Sequence, residues 1–351
     1  MSAETRFLLD QPPSEWQLSD AAGYRRNQLI EWVFAKRAKT FGEMSNLPAA
    51  MRDELGKQYH LQPLELARIQ GSGDTTRKFL FRLSQGDYIE SVLIPASPAL
   101  YGGRSDRFTL CVSTQVGCAY GCKFCASGLE GWKRNLSPGE IAAQIMEAER
   151  AGGRKINNLV FMGMGEPLAN YNNLMTAIEI INAPWGLNIG ARHITISTSG
   201  LAPRIRDLAE QPRQLRLAIS LHGATNEVRN KIMPVNKKYP LETLLDACAW
   251  FQERKNKMIT FEYILIEGVN DSLEQASLLA KHAKRLHAKI NLIPYNTVEG
   301  LEWRRPSDLV VRAFAAAVKQ GGASATVRLE KGHDIDAACG QLRLKELRNA
   351  A

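Results

Sequence analysis

Long apolar runs are missing from this 351-residue sequence. No stretch approaches the roughly 18 consecutive apolar residues of a membrane span, so no membrane association is expected. The opening, MSAETRFLLDQPP, has no apolar core of a signal peptide, and a reducing cytoplasm is the expected location. No repeat of fixed period and no low-complexity tract occurs, which sets aside solenoid and fibrous architectures. Cysteine is scarce, six residues in a chain of 351, and a disulfide framework belongs to small secreted chains rather than to one of this length. What remains is an ordinary globular composition, 44% hydrophobic and 23% charged, long enough for one large domain or a large and a small one. Lys plus Arg number 45 against 36 Asp plus Glu, a net charge of +9. That balance suits a polyanionic partner without requiring one.

Four of the six cysteines nevertheless fall in one stretch, CVSTQVGCAYGCKFC, from Cys111 to Cys125. Cys118, Cys122 and Cys125 are spaced C-x3-C-x2-C. Three thiolates at this spacing hold three irons of a cubane and leave the fourth iron open to a ligand, whereas a cluster with four thiolates only moves electrons. Phe124 supplies an apolar wall that shields such a cluster from water. A zinc knuckle is the bland alternative, but zinc wants four ligands and no Cys or His follows at knuckle spacing.

Residues 14–60 read as helices. RRNQLIEWVFAKR places Leu29, Ile30, Val33 and Phe34 on one face, and NLPAAMRDELGKQY does the same with Met51 and Leu55. Arg25, Arg26, Lys36, Arg37 and Lys39 lie on or beside the first helix, as a solvated face or an RNA-facing patch. KFLFRL and YIESVLI read as strands joined by Ser84-Gln85-Gly86-Asp87. Six strand-like runs then alternate with amphipathic segments: Phe108–Ser113, Asn158–Met162, His193–Ser197, Leu215–Ser220, Ile259–Leu265 and Ala288–Ile293. Ser137-Pro138-Gly139-Glu140 and Asp271-x-x-Glu274 are helix-start signals. This pattern predicts an α/β fold with a parallel sheet, a barrel or an open doubly wound sheet. Chemistry-bearing residues at the end of every strand favour the barrel, where the site lies on the loops at the strands' carboxyl ends. The expected organisation is a helical domain over 1–60, a β extension or linker over 61–103, a core over 104–342 and a tail over 343–351.

Several strand-end residues invite a role. In Gly163-Met164-Gly165-Glu166-Pro167 the glycines let backbone approach a ligand and Glu166 can accept from an ammonium, or the segment is only a tight turn. Ser197 and Ser220 offer hydroxyls to a ribose or carboxylate, or cap the next helix. His222 and Asn296 are weak signals alone. GHDIDAACGQL sets Cys339 between Ala338 and Gly340 in a small-residue segment, reactive or merely structural. Cys248, in LLDACAWF, reads as core.

Taken together, CVSTQVGCAYGCKFC, FMGMGEPLANY, ITISTSG, AISLHG, MPVNKKYP, NLIPYN and DIDAACGQL resemble the adenine-C2 RNA methyltransferases of the radical S-adenosylmethionine superfamily, over about residues 88–342. The resemblance implies a partial (β/α)6 barrel with a small helical N-terminal RNA-binding domain. It implies a [4Fe-4S] cluster on Cys118, Cys122 and Cys125, and S-adenosylmethionine held by Gly165, Glu166, Ser197, Ser220, Leu221, His222 and Asn296. It also implies that Cys339 is methylated by one S-adenosylmethionine, and that a second, cleaved to a radical, activates that methyl group. The methyl carbon then joins C2 of adenine, Glu90 removes the C2 proton, and Cys111 resolves the adduct by a disulfide with Cys339. The implied partners of this monomer are 23S rRNA at the peptidyl-transferase centre, tRNA next to the anticodon, and an electron donor such as flavodoxin or ferredoxin. The related C8-adenine methyltransferases share the cysteines and cofactor. GMGEP and Val116-Gly117-Cys118 lean towards C2. An iron–sulfur electron-transfer or sensor protein is a further reading, which Cys339 and the six-loop site oppose. The insert SPALYGGRSD, over 97–106, follows no pattern in the family.

Overall fold

The computed structural model describes residues 6–18, 23–96, 107–129, 131–328, 331–338 and 341. The 97–106 insert and Cys339 lie outside the described residues. Within them, apolar and polar residues alternate along short runs, and these runs pair in the order in which the chain makes them. The strands are β1 Leu64–Gly71, β2 Arg77–Leu83, β3 Tyr88–Pro95, β4 Phe108–Cys111 and β5 Asn158–Phe161, then β6 Ile194–Thr198, β7 Arg216–Ser220, β8 Thr260–Leu265, β9 Lys289–Pro294 and β10 Ser324–Val327. They form one ten-stranded sheet, β1 to β10 in sequence. β1 to β4 pair antiparallel, and every pairing from β4 to β10 is parallel.

Parallel neighbours need a crossover. The crossovers are α1 Pro138–Gly152, α2 Tyr171–Asn182, α3 Ala202–Glu210, α4 Leu241–Lys255, α5 Leu273–Arg285 and α6 Asp308–Gln320. The six expected parallel strands are present within one or two residues. β1 and the last strand, β10, carry no strong apolar alternation and were not expected. The Ser137 capping box starts α1 as anticipated, but α5 is capped by Ser272, not by Asp271, whose carboxylate instead accepts from the Gly268 N–H at 3.0 Å.

Register decides what each face of the sheet can do. Cys111 lies opposite Val160, and Val160 opposite Thr195; Ser197 lies opposite Ala218, and Ser220 opposite Glu262, which lies opposite Asn291. On the antiparallel side Val92 faces both Cys111 and Lys78, and Glu90, two residues before Val92, shares its face. One face therefore carries Lys78, Glu90, Cys111, Ser197, Ser220, Glu262 and Asn291. The other carries Phe79, Leu93, Leu110, Leu159, Ile196, Leu217, Ile219 and Phe261, all buried. α1 covers this apolar face: a Cβ on Gly152 would stand 3.3 Å from Leu93. Each such side chain contributes roughly 1.5–3 kcal/mol by burial. The apolar face stabilises the fold, and the polar face is left for chemistry.

The N-terminal segment grips α1 at both ends. Asp10 Oδ1 accepts from the Gly139 N–H at 3.1 Å in the first turn, where a carboxylate also meets the positive end of the helix dipole. At the far end Arg37 pairs with Glu149 at 2.8 Å. The helix Gly23–Ile30 widens into a π turn at Glu31–Ala35 before reaching it. Arg37 is therefore a tether, not part of a free basic face. Lys36 is likewise engaged, 3.1 Å from Glu31 and over the Trp32 ring. Arg25 lies over the Tyr24 ring and donates to Asn46 O at 3.1 Å.

A Cβ added to Gly139 would stand 2.0 Å from the Phe7 ring. Gly139→Ala is expected to destabilise the protein by about 1–3 kcal/mol, overpacking outweighing the gain in helix propensity. Urea denaturation of the two proteins measures the difference.

Candidate active site

At the carboxyl ends of the parallel strands lies a cavity whose wall includes Cys118, Cys122 and Cys125, Gly165 and Glu166, and Ser197, Ser220 and His222. The cysteine loop is bracketed by a small hairpin, Gln115–Gly117 against Trp132–Asn135. It closes on itself where the Cys118 N–H donates to Gly131 O at 3.0 Å. Gly117 holds φ +75°, and a Cβ there would run into the Gly131 carbonyl, so only glycine fits this corner. The three thiols are half-buried and close enough for their charges to oppose one another. Burial pushes Cys118 up to about 12, and raises Cys122 and Cys125 as well. Thiolates so placed need a cation between them.

Behind the loop, the backbone leaving β4 is stitched to the segment 163–166. Met164 O accepts from the Thr114 and Gln115 N–H groups at 2.8 and 3.2 Å, and Ser113 Oγ accepts from the Met164 N–H at 2.9 Å. Cβ atoms on Gly163 and Gly165 would stand 2.7 Å from Ser113 Oγ and 2.6 Å from Gln115 Cβ. These glycines permit two protein segments to touch, and both also line the cavity. Asn170 Nδ2 donates to Thr114 O at 2.9 Å and Leu136 O at 2.8 Å, and buried Gln144 of α1 holds both the N–H and the carbonyl of Ser113 at 2.9 Å.

Glu166 is buried. Oε1 accepts from the Leu168 N–H at 3.1 Å and Oε2 from the Ser199 N–H at 2.7 Å. Burial raises its pKa, against the lowering effect of the Ser199 N–H. A carboxylate has lone pairs left to accept from a ligand. The hydroxyls of Ser197 and Ser220 stand 3.4 Å apart on neighbouring strands and line the cavity; the helices that follow have Leu201 and Thr225 at their N-caps, so neither serine caps a helix. His222 is buried at φ +54°; its Nδ1 accepts from the Ile264 N–H at 3.0 Å, and Phe124 meets the ring edge-on at 4.9 Å. Burial, then the charge of Arg229, lowers its pKa to about 3, so the imidazole is neutral. Leu221 and Asn296 are buried at the ends of β7 and β9, beyond the described cavity wall.

Glu90 and Cys111 share the sheet face of the cavity residues but stand to one side, on β3 and β4. Glu90 is buried and pairs with Lys78 at 3.1 Å. Glu262 was missed by the sequence reading: a buried acid on β8 that lines the cavity, accepts from Asn291 Nδ2 at 2.9 Å and lies 3.6 Å from Arg328. Burial raises its pKa and Arg328 opposes the rise. A carboxylate between Phe261 and Tyr263 in an apolar strand was the available signal.

A family model, the Radical SAM superfamily, matches residues 112–279. A probable dual-specificity RNA methyltransferase RlmN of Akkermansia muciniphila is 57% identical over 323 residues, 92% of this chain and 90% of that protein. The chain belongs to the RlmN family. A relative of the same name from Geobacillus kaustophilus is 45% identical over 336 residues, 95% of this chain and 90% of that protein. A crystal structure of a radical SAM methyltransferase from Sphaerobacter thermophilus matches with a TM-score of 0.89 and 41% identity, over 96% of this chain and 99% of that one. Membership implies an iron–sulfur cluster and S-adenosylmethionine. The residues fit both. Three thiols of one loop line one cavity wall, and a cubane asks each thiolate for a separate iron. The Glu166 carboxylate and the serine pair offer acceptors for the amino and hydroxyl groups of the second ligand. No helix among the described residues is long and apolar enough to cross a membrane.

Because folding lowers the His222 pKa from 6.5 to about 3, the unfolded chain binds this proton more readily between those values. Stability from this group is present above pH 6.5 and falls as pH drops towards 3. Asn at this position keeps an acceptor near Nδ1 and tolerates positive φ. The melting temperature of His222→Asn is expected to fall less steeply than that of the parent between pH 6.5 and 4, measured by calorimetry on both.

Proposed function

We propose that this protein methylates C2 of adenine in 23S rRNA and in tRNA through a methylated cysteine. One observation carries the reading: three half-buried thiols of one loop line the same cavity as Glu166, Ser197, Ser220 and His222. When bound, the cluster and S-adenosylmethionine would supply the hydrogen-abstracting radical that an electrophilic adenine carbon requires. Cys118, Cys122 and Cys125 would hold the cluster. Glu166, the two serines and neutral His222 would orient S-adenosylmethionine, with the Gly165 backbone, Leu221 and Asn296 beside them.

The protein's own acid–base and sulfur chemistry falls to three residues. Cys339 would carry the methyl group to the base. Glu90, buried and paired with Lys78 at 3.1 Å, would take the C2 proton. Cys111 would attack the sulfur of Cys339 and free the product. Supporting this, Glu90 and Cys111 lie on adjacent strands and on the sheet face that carries Ser197 and Ser220. The net charge of +9 suits an RNA partner, and the base must be unstacked to enter the cavity. An electron donor, a monomeric state and RNA binding by the 1–60 segment belong to the same proposal.

Alanine at Cys118, Cys122 or Cys125 is expected to abolish the cluster absorbance of anaerobically reconstituted protein, whereas Cys111→Ala retains it. Cys111→Ala made in cells should co-purify with RNA that survives denaturant and is lost on nuclease treatment, and adding Cys339→Ala should remove it. RNA-free Cys111→Ala that still methylates C2, read by mass spectrometry of nucleosides, refutes the two-cysteine route.

A further inference from the structure

Arg229 is completely buried on the short helix Asn226–Ile232, which follows β7. Among the described residues no carboxylate pairs with it. Its Nη2 donates to Ser199 O at 3.1 Å, Nη1 to Ser220 O at 3.2 Å and also to Leu221 O, and Nε to Asn236 Oδ1 at 2.8 Å. Burying an unpaired ion costs several kcal/mol unless dipoles replace its water. Here three carbonyls at the ends of β6 and β7 do so. Asn236 is itself oriented: Nδ2 donates to Asn226 Oδ1 at 3.0 Å and Asn230 Oδ1 at 2.9 Å, which turns its Oδ1 towards Nε. So the Asn of MPVNKKYP, a motif with no role so far, aims the guanidinium.

The same helix is tied to the cysteine loop. Ile232 O accepts from the Lys123 N–H at 2.9 Å, between Cys122 and Cys125. One of the carbonyls that Arg229 holds, that of Leu221, adjoins His222, whose ring meets Phe124 of the loop at 4.9 Å. Burial lowers the Arg229 pKa to about 10, so the group stays charged at neutral pH.

We propose that Arg229 is a positioning residue that braces the ends of β6 and β7 with its fork and, with its charge, favours the reduced state of a cluster on Cys118, Cys122 and Cys125. One-electron reduction by an external donor adds a negative charge to the cluster, and a fixed cation in a low-dielectric surrounding stabilises that state. The inference rests on the cluster reading above.

The test reconstitutes parent protein, Arg229→Met, Arg229→Lys and Asn236→Asp anaerobically and titrates each with dithionite, reading the midpoint potential by EPR. Arg229→Met should shift the midpoint to more negative values. Asn236→Asp, which sets a carboxylate against Nε and cancels the charge, should shift it the same way. Arg229→Lys, with charge but no fork, should keep a midpoint near the parent's while its melting temperature falls. Parent-like midpoints in both Arg229→Met and Asn236→Asp overturn the inference; if Arg229→Met takes up no cluster, Asn236→Asp decides alone. Parent protein that takes up no iron overturns the cluster reading instead, and this inference with it.

Discussion

The structure depends on a few buried hydrogen bonds that hold the backbone just past β4, at Ser113, Thr114 and Gln115. This segment has left the sheet ladder, so its N–H and C=O groups need partners elsewhere or cost free energy. Partners come from three directions: Met164 O from the loop after β5, Gln144 from α1, and Asn170 from the start of α2. Gln115 then passes the constraint on, its Oε1 accepting from the Glu166 N–H at 2.9 Å while its Nε2 donates to Asn135 Oδ1 at 2.8 Å in the hairpin. The cysteine loop thus springs from a segment with no freedom to shift. A cluster site needs that rigidity, because thiolate placement and cofactor placement must agree to a fraction of an ångström.

Rigidity on one face is made affordable by the other. Phe79, Leu159, Ile196, Ile219 and Phe261 pack under the helices, so the opposite face tolerates Glu90, Glu262, Ser197 and Ser220 without loss of the fold. Each polar group there is held by a neighbour: Lys78 for Glu90, Asn291 and Arg328 for Glu262. Glu262 lines the cavity with acceptor capacity to spare. Burial also fixes protonation, keeping His222 neutral, and desolvation alone leaves the thiols protonated. The chemistry available to the cavity is therefore set by dielectric as much as by residue identity.

Much of this was legible in the sequence. The cysteine spacing and the six apolar runs of the parallel strands are local signals, read from neighbours in the chain, and so was the capping box at Ser137. Weak alternation hid β1 and β10, which are strands because β2 and β9 offer them an edge. Gly163 and Gly165 stood out in the sequence, but their close contact with Ser113 and Gln115, 50 residues away, did not. Arg25, Lys36 and Arg37 read as one basic stretch along the chain, while their neighbours Tyr24, Glu31 and Glu149 show only in the structure.

The sequence by itself determined where the parallel strands lie along the chain, the spacing of the three loop cysteines and the strand ends as the place where polar residues gather. Those properties follow from spacing and period, which a chain carries whatever its conformation. Tertiary structure alone decided which polar residues share a face, since a register shift of one residue would send Glu90, Cys111 and Ser197 to the helix side. It alone revealed Glu262 beside Arg328, and Arg229 bound by carbonyls with no carboxylate partner among the described residues. Burial and pairing are properties of space, and residues far apart in the chain acquire them only when the sheet closes around them.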